Sequence, residues 1–261
     1  MPPACQTIRM QGPSAGPGVI YDAECDIQRT FMVDVAANCR KILERISETA
    51  ARCGRDPADV KLLAATKSQG VSQIRTAIEA GIRLFGENYV QEARAKREAI
   101  QEDVEWHMIG HLQRNKVKAA LNIFSLVQTL DSVELARELD KEGRKRGERI
   151  RAFLEVNLGG EETKSGIIKE EVVPLLQEIG LLSHLIVEGL MTIPRPGEDP
   201  EEMRPFFRAL RELQVGIQEL KIANVKPKEL SMGMSHDYLV AIEEGATLVR
   251  IGTAIFGPRG A

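Results

Sequence analysis

From residue 61 onward the chain repeats one alternation: a short apolar segment, then a longer amphipathic one. The short segments are KLLAAT at 61, IRLFGE at 82, EWHMIG at 105, IFSLVQTL at 123, IRAFLEVNL at 150, HLIVEGLMTI at 184, KELSMG at 228 and TLVRIG at 247. Between them lie helix-patterned stretches at 71–80, 88–102, 132–146, 169–180, 200–221 and 237–244. Several of the short segments are continuous apolar runs, as expected of parallel strands covered on both faces. Strand–helix alternation builds parallel β/α units joined by right-handed crossovers. Eight such units predict a single (β/α)8 TIM barrel. A doubly wound open sheet is the competitor. It would have six or seven strands and a glycine-rich first turn, whereas the first turn here, TKSQGVS, is not GxGxxG.

A helix is expected ahead of the barrel. Val35, Cys39, Ile42, Ile46, Ala50 and Cys53 recur at threes and fours, and Gly54 is a stop signal. Residues 1–31 are rich in Pro, Gly and small polar residues without a steady period, and read as a disordered extension upstream of a second start at Met32. They lack the apolar core of a secretory signal, and Asp22, Glu24 and Asp26 argue against a transit peptide. Residues 32–261 form the expected barrel domain. Its 43% hydrophobic content supports a large core, and a net charge of −3 gives no global reason to expect nucleic acid or membrane binding. The four cysteines, Cys5, Cys25, Cys39 and Cys53, make no CxxC pair and have no histidine cluster beside them, so neither zinc nor a disulfide framework is expected, and the setting reads as cytoplasmic.

In this fold the active site gathers at the C-terminal ends of the strands. The first strand exits on Lys67, the second on Glu87 and Asn88, the third on His107 and Gly110. The fifth exits on Asn157 and the sixth on Met191 and Thr192. A lysine amine kept from bulk water can condense with a carbonyl, although most lysines simply turn into solvent. The last two exits, SMGMSHD and VRIGTAIFG, place Ser231 and Ser235 around Gly233 and put Gly252 and Thr253 at the opening of a short helix. Backbone amides with a hydroxyl beside them suit a phosphate, and this fold often uses these two loops for one. Two ordinary tight turns would look the same singly. A lysine and a phosphate cradle across one barrel mouth point to pyridoxal phosphate or to a sugar-phosphate Schiff base. Arg250, on the same side of its strand as Gly252, could meet a pyridine nitrogen or make a surface ion pair. GGEETKSG fails as a phosphate loop because Thr163 stands where glycine is required, but it offers Lys164 as a second amine. His111 and Arg114 could bind an anion or cap a helix.

ATKSQ, FGENYVQEA, WHMIGHLQRNK, VNLGGEETKSG, GLMTIP, LSMGMSHDY and VRIGTAIFG, in this order, resemble the pyridoxal phosphate homeostasis protein (YggS/PROSC) family from about residue 35 to the C-terminus. The resemblance implies a barrel similar to the N-terminal domain of alanine racemase. Lys67 would carry pyridoxal 5'-phosphate as a Schiff base. Ser235, Gly252 and Thr253 would hold the phosphate, and Arg250 would approach the ring nitrogen. Asn88, His107 and Met232 match positions lining the same mouth. The family often has proline where His111 stands. A binding and homeostasis role, affecting amino-acid and keto-acid pools, is implied rather than robust catalysis. No sequence follows the eighth unit from which to build the second domain that racemases of this fold use. The implied partners are the cofactor and apo enzymes that use it, with no nucleic acid and no membrane, for a monomer or weak dimer. The alternative is a pyridoxal phosphate-dependent racemase or lyase acting on a small amino acid. A sugar-phosphate aldolase is the remoter option.

Overall fold

The computed structural model describes residues 33–160, 165–195 and 197–258, so the expected extension at 1–31 and Lys164 lie outside the described residues. Helix α1 (Val35–Arg52) begins at Asp34, whose side chain accepts from the amide of Ala37 and caps the first turn. Its buried stripe is Val35, Cys39, Ile42, Ile46, Thr49 and Ala50. Cys53 lies past the helix end and is exposed, contrary to the expected shared face. Gly54, at φ +71°, makes the left-handed stop.

Eight strands close the barrel: β1 (Lys61–Ala65), β2 (Leu84–Glu87), β3 (Glu105–Met108), β4 (Leu126–Leu130), β5 (Ile150–Asn157), β7 (Leu185–Met191), β8 (Val225–Ser231) and β9 (Leu248–Ile251). All their pairings are parallel, β9 pairs with β1, and the β4–β5 pairing completes the circle. A two-residue strand β6 (Ile167–Ile168) adds to β5. The helices between strands are α2 (Val71–Glu79), α3 (Val90–Ala99), α4 (Val117–Ala120), α5 (Val133–Arg146), α6 (Val172–Gly180), α7 (Arg204–Leu220), α8 (Tyr238–Glu243) and α9 (Thr253–Phe256). The periodicity left out α4, which follows a 3-10 turn at Arg114–Lys116 and is too short to show a period. Strand β4 starts later than expected because Ile123 and Phe124 bond back to Ala120 and close the preceding turn. β8 starts three residues earlier than expected. No helix among the described residues is long and apolar enough to cross a membrane.

Alternation along the strands sorts side chains into two cores. Leu63, Ile109, Leu126, Phe153, Met191 and Leu248 fill the barrel, while a larger shell of buried apolar residues joins strands to helices. Met191, expected at a strand exit, is part of the inner layer. Gly189 is required here, since a Cβ would stand 2.6 Å from the carbonyl oxygen of Glu229 on the neighbouring strand.

Candidate functional site

A cavity of about 290 Å3 opens at the C-terminal ends of the strands. Lys67, Asn88, Ser235, Arg250, Gly252 and Thr253 all line it. These come from the exits of β1, β2, β8 and β9, so six of the eight expected residues converge.

Lys67 follows β1 after one residue, buried Thr66, at the point where the buried run stops. The turn is braced from behind. Buried Thr66 donates its hydroxyl proton to Glu87 Oε1 at 2.5 Å, and its carbonyl accepts from Lys96 Nζ at 2.5 Å. Lys96, itself buried, also donates to Glu87 Oε1 at 2.5 Å and to Glu92 Oε1 at 2.7 Å. Its three donors are therefore satisfied. Ser68 sits at φ +63° and donates its amide to the same Glu92 oxygen at 2.6 Å. Two carboxylates and a buried ammonium thus hold the residues on either side of Lys67. Its own Nζ lies half-buried, 5.1 Å from the centre of the Tyr89 ring, over the ring face.

The opposite wall is the β8 and β9 exits. Gly233, at φ +90°, turns the chain where a Cβ would meet that of Ala241 at 2.6 Å. The Met234 amide then donates to Asp237 Oδ1, and Ser235 Oγ accepts from the Ala254 amide at 3.1 Å, tying the β8 loop to the first turn of α9. At Gly252 a Cβ would press on the Ala65 carbonyl oxygen at 3.2 Å, so this glycine lets β9 run close beside the Lys67 strand. Gly110 has a similar role. A Cβ there would stand 2.5 Å from the Asn88 carbonyl oxygen and 2.7 Å from its Cα, and backbone cannot step aside as a side-chain tip can. Gly110→Ala should therefore push Asn88 out of the cavity wall and destabilise the fold by about 1–3 kcal/mol. A melting temperature unchanged from wild type would show that the loop absorbs the methyl group.

Arg250 lies at the cavity floor and is buried, with Nη1 on Ser231 Oγ at 2.5 Å and Nη2 on the Thr192 carbonyl at 2.8 Å. Burial pushes its guanidinium down to about 10, with Glu155 and Asp237 opposing, so it stays a cation at neutral pH. Glu155, buried on β5, is pushed up to about 7, first by burial and then by Asp131, while Arg250 pulls it down. One of its oxygens, Oε2, has no hydrogen-bond partner.

Two expected residues fall elsewhere. His107 does not line the cavity. It is buried inside the barrel, between Gln128 and Glu105, because β3 places it a layer below the mouth. Met232 is buried in the shell between strands and helices: its neighbour Ser231 faces inward, so Met232 must face out. Met234 stands in the cavity wall instead, with Ile109 and Ile193 as apolar lining. Sequence reasoning also missed Gln128 and Glu155. The available signal was a polar residue on the inward parity of an otherwise apolar strand, in LVQTL and FLEVN. His111 is exposed, with Nδ1 3.4 Å from Asp131 Oδ2. Among the described residues no group of His, Cys, Asp or Glu could hold a metal ion.

The cavity suits a small phosphorylated carbonyl compound. It offers an amine at one wall, a hydroxyl beside a helix opening at another, and a fixed cation on the floor. Fold and site together define a barrel of the alanine racemase N-terminal domain class, and that family matches residues 37–260. A pyridoxal phosphate homeostasis protein of Aquifex aeolicus is 46% identical over 220 residues, covering 84% of this chain and 96% of that protein. The structure of PipY from Synechococcus elongatus with PLP bound superposes with a TM-score of 0.72 at 34% identity, covering 81% of this chain and all of that one. Alanine racemase from Corynebacterium glutamicum shares the fold, with a TM-score of 0.68 at 18% identity over 87% of this chain and 61% of that one. The chain belongs to the pyridoxal phosphate homeostasis protein family.

Proposed function

We propose that this chain binds pyridoxal 5'-phosphate at the mouth of its barrel and serves homeostasis of that cofactor in the cytoplasm, holding it and giving it up to apo enzymes. The observation that carries this reading is the convergence of Lys67, Ser235 and Arg250 on one cavity. When bound, the cofactor supplies an aldehyde open to condensation with an amine, and a pyridine ring. Lys67 would supply that amine, held by the braced turn around it. Ser235, Gly252 and Thr253 would hold the phosphate, and Arg250 would donate to the ring nitrogen. A donor that stays cationic there leaves the ring nitrogen without a proton. That weakens the ring as an electron sink and favours storage over turnover. Ile109 and Ile193, apolar lining of the same cavity, would help to keep water from the bound ring. Asn88 completes the wall beside Lys67.

Incubation with pyridoxal phosphate, borohydride reduction and peptide mass mapping test the reading. A pyridoxyl group on the peptide holding Lys67, and an affinity at least about tenfold weaker in Lys67→Ala, are expected. Protein that neither colours nor takes the label would sink the assignment. Label confined to another lysine in the wild type would move the site.

A further inference from the structure

We propose that Gln128 and His107 are positioning residues for Arg250: a one-directional hydrogen-bond chain inside the barrel runs from its guanidinium to the carboxylate of Glu105 and sets how Arg250 meets the ring nitrogen of the bound cofactor. The cofactor part of this inference rests on the function proposed above.

The chain has five members from four strands. Arg250 Nη1 donates to Ser231 Oγ at 2.5 Å. Ser231 Oγ donates to Gln128 Oε1 at 2.6 Å. Gln128 Nε2 stands 2.9 Å from His107 Nδ1, and His107 Nε2 stands 3.0 Å from Glu105 Oε1. Gln128, Ser231 and His107 are all buried, so none of these three middle members can turn to water for an alternative partner.

The two ends fix the direction. A guanidinium has donors and no acceptor; a carboxylate accepts and does not donate. Glu105 is a carboxylate throughout the working range. Its pKa is held down at about 2, chiefly by the hydrogen bond from His107, with Ser125 and Arg151 adding to it against desolvation. His107 Nε2 must therefore carry the hydrogen. Burial pushes the His107 pKa down, with the Glu105 hydrogen bond opposing, which keeps the ring neutral and Nδ1 an acceptor. Gln128 then has to present its NH2 to His107 and its oxygen to Ser231, and Ser231 is left free to accept from Arg250. Three groups that could each point either way have one arrangement in which every partner is satisfied. Arg250 is anchored by that arrangement on Nη1 and by Thr192 on Nη2, so its remaining N–H groups keep a fixed direction. His107, which the sequence placed at the mouth, acts on Arg250 through Gln128 and Ser231.

Nitrogen-15 NMR of histidine-labelled, unliganded wild-type protein at pH 7 is the first test. A neutral His107 with its proton on Nε2 is expected. The Nδ1–H tautomer or an imidazolium would reverse Gln128 and overturn the chain. The second test compares Gln128→Met and Gln128→Glu by pyridoxal phosphate titration and by the absorption spectrum of the bound cofactor. Methionine matches the shape of glutamine and makes neither bond, so affinity should fall about tenfold and the absorption band should shift. Glutamate keeps the acceptor for Ser231. It should return affinity to within about threefold of wild type while the NMR shows His107 doubly protonated between two carboxylates. Gln128→Met with native melting temperature, affinity and spectrum would overturn the positioning role. If that variant does not fold, Ser231→Ala breaks the chain with a smaller change in volume and should weaken binding to a similar degree; unchanged binding there overturns the role as well. A wild type that takes up no cofactor overturns the proposed function and the positioning role together, which separates that failure from the failure of the chain alone.

Discussion

Replacing Lys96 with methionine should destabilise the protein by about 3–5 kcal/mol, because it leaves the buried Glu87 carboxylate without its counter-charge. The pair is closed to solvent on both sides, with side-chain exposures of 7% for Lys96 and 0% for Glu87, at 2.5 Å. One Glu87 oxygen, Oε2, already lacks a partner, so there is no reserve donor to take over. Burial by itself raises the Glu87 pKa, and the hydrogen bonds from Lys96 and Thr66 pull it back. Without Lys96 the carboxyl rises further. Its folded pKa then stands above its unfolded one, so the variant should be least stable at alkaline pH and recover as the pH falls and Glu87 takes a proton. Adding Glu87→Gln to Lys96→Met should restore more than half of the loss, since it removes the orphaned charge. The double-mutant cycle is read by urea unfolding at pH 8. Additive single effects would show that the two side chains do not interact. Lys96→Met also removes the ammonium that anchors the Glu92 carboxylate under the Ser68 amide, so the Lys67 turn should loosen and cofactor uptake should fall along with stability.

Glu155→Gln should stabilise the unliganded protein at pH 8 by about 3 kcal/mol and leave it unchanged near pH 4. The Glu155 carboxyl sits at about 7 in the fold against an ordinary 4.5, so its protonated form is the one the fold favours. Below about pH 4.5 it is protonated folded and unfolded, and the contribution is fully present. As pH rises the unfolded chain ionises first, and stability drains away until the folded carboxyl follows at about pH 7. Glutamine has the same shape and no titration, so the difference between the two proteins should open across that window and then level off. Melting temperatures at pH 4, 5, 6, 7 and 8 measure it. A wild-type profile parallel to that of the variant would place the Glu155 carboxyl at an ordinary value and contradict the burial argument.

Much of the site was legible because strand exits are local events. In KLLAATK the apolar run stops at a lysine, and in VRIGT the strand stops at a glycine and a hydroxyl. Periodicity of two along each strand and 3.6 along each helix also counted the β/α units. Depth was harder to read. EWHMIG shows that His107 lies on the opposite face from Trp106 and Met108, but not how far below the mouth it stands. That depends on strand tilt and stagger around the closed sheet, which no single segment encodes. Met232 went astray for a related reason. Its inward or outward sense follows from Ser231, and Ser231 is known to face in only once Arg250 and Gln128 are seen to reach it.

The sequence by itself determined the fold class, the start of the first helix, and the residues at the strand exits, because these follow from hydrophobic period and turn chemistry within a few residues. Tertiary structure decided what those residues touch. Ser231 and Gln128 are 103 positions apart, and Arg250 and the Thr192 carbonyl are 58 apart. Closure of the barrel alone brings them within hydrogen-bonding distance. Away from water, these buried donors and acceptors find their partners across strands rather than along the chain.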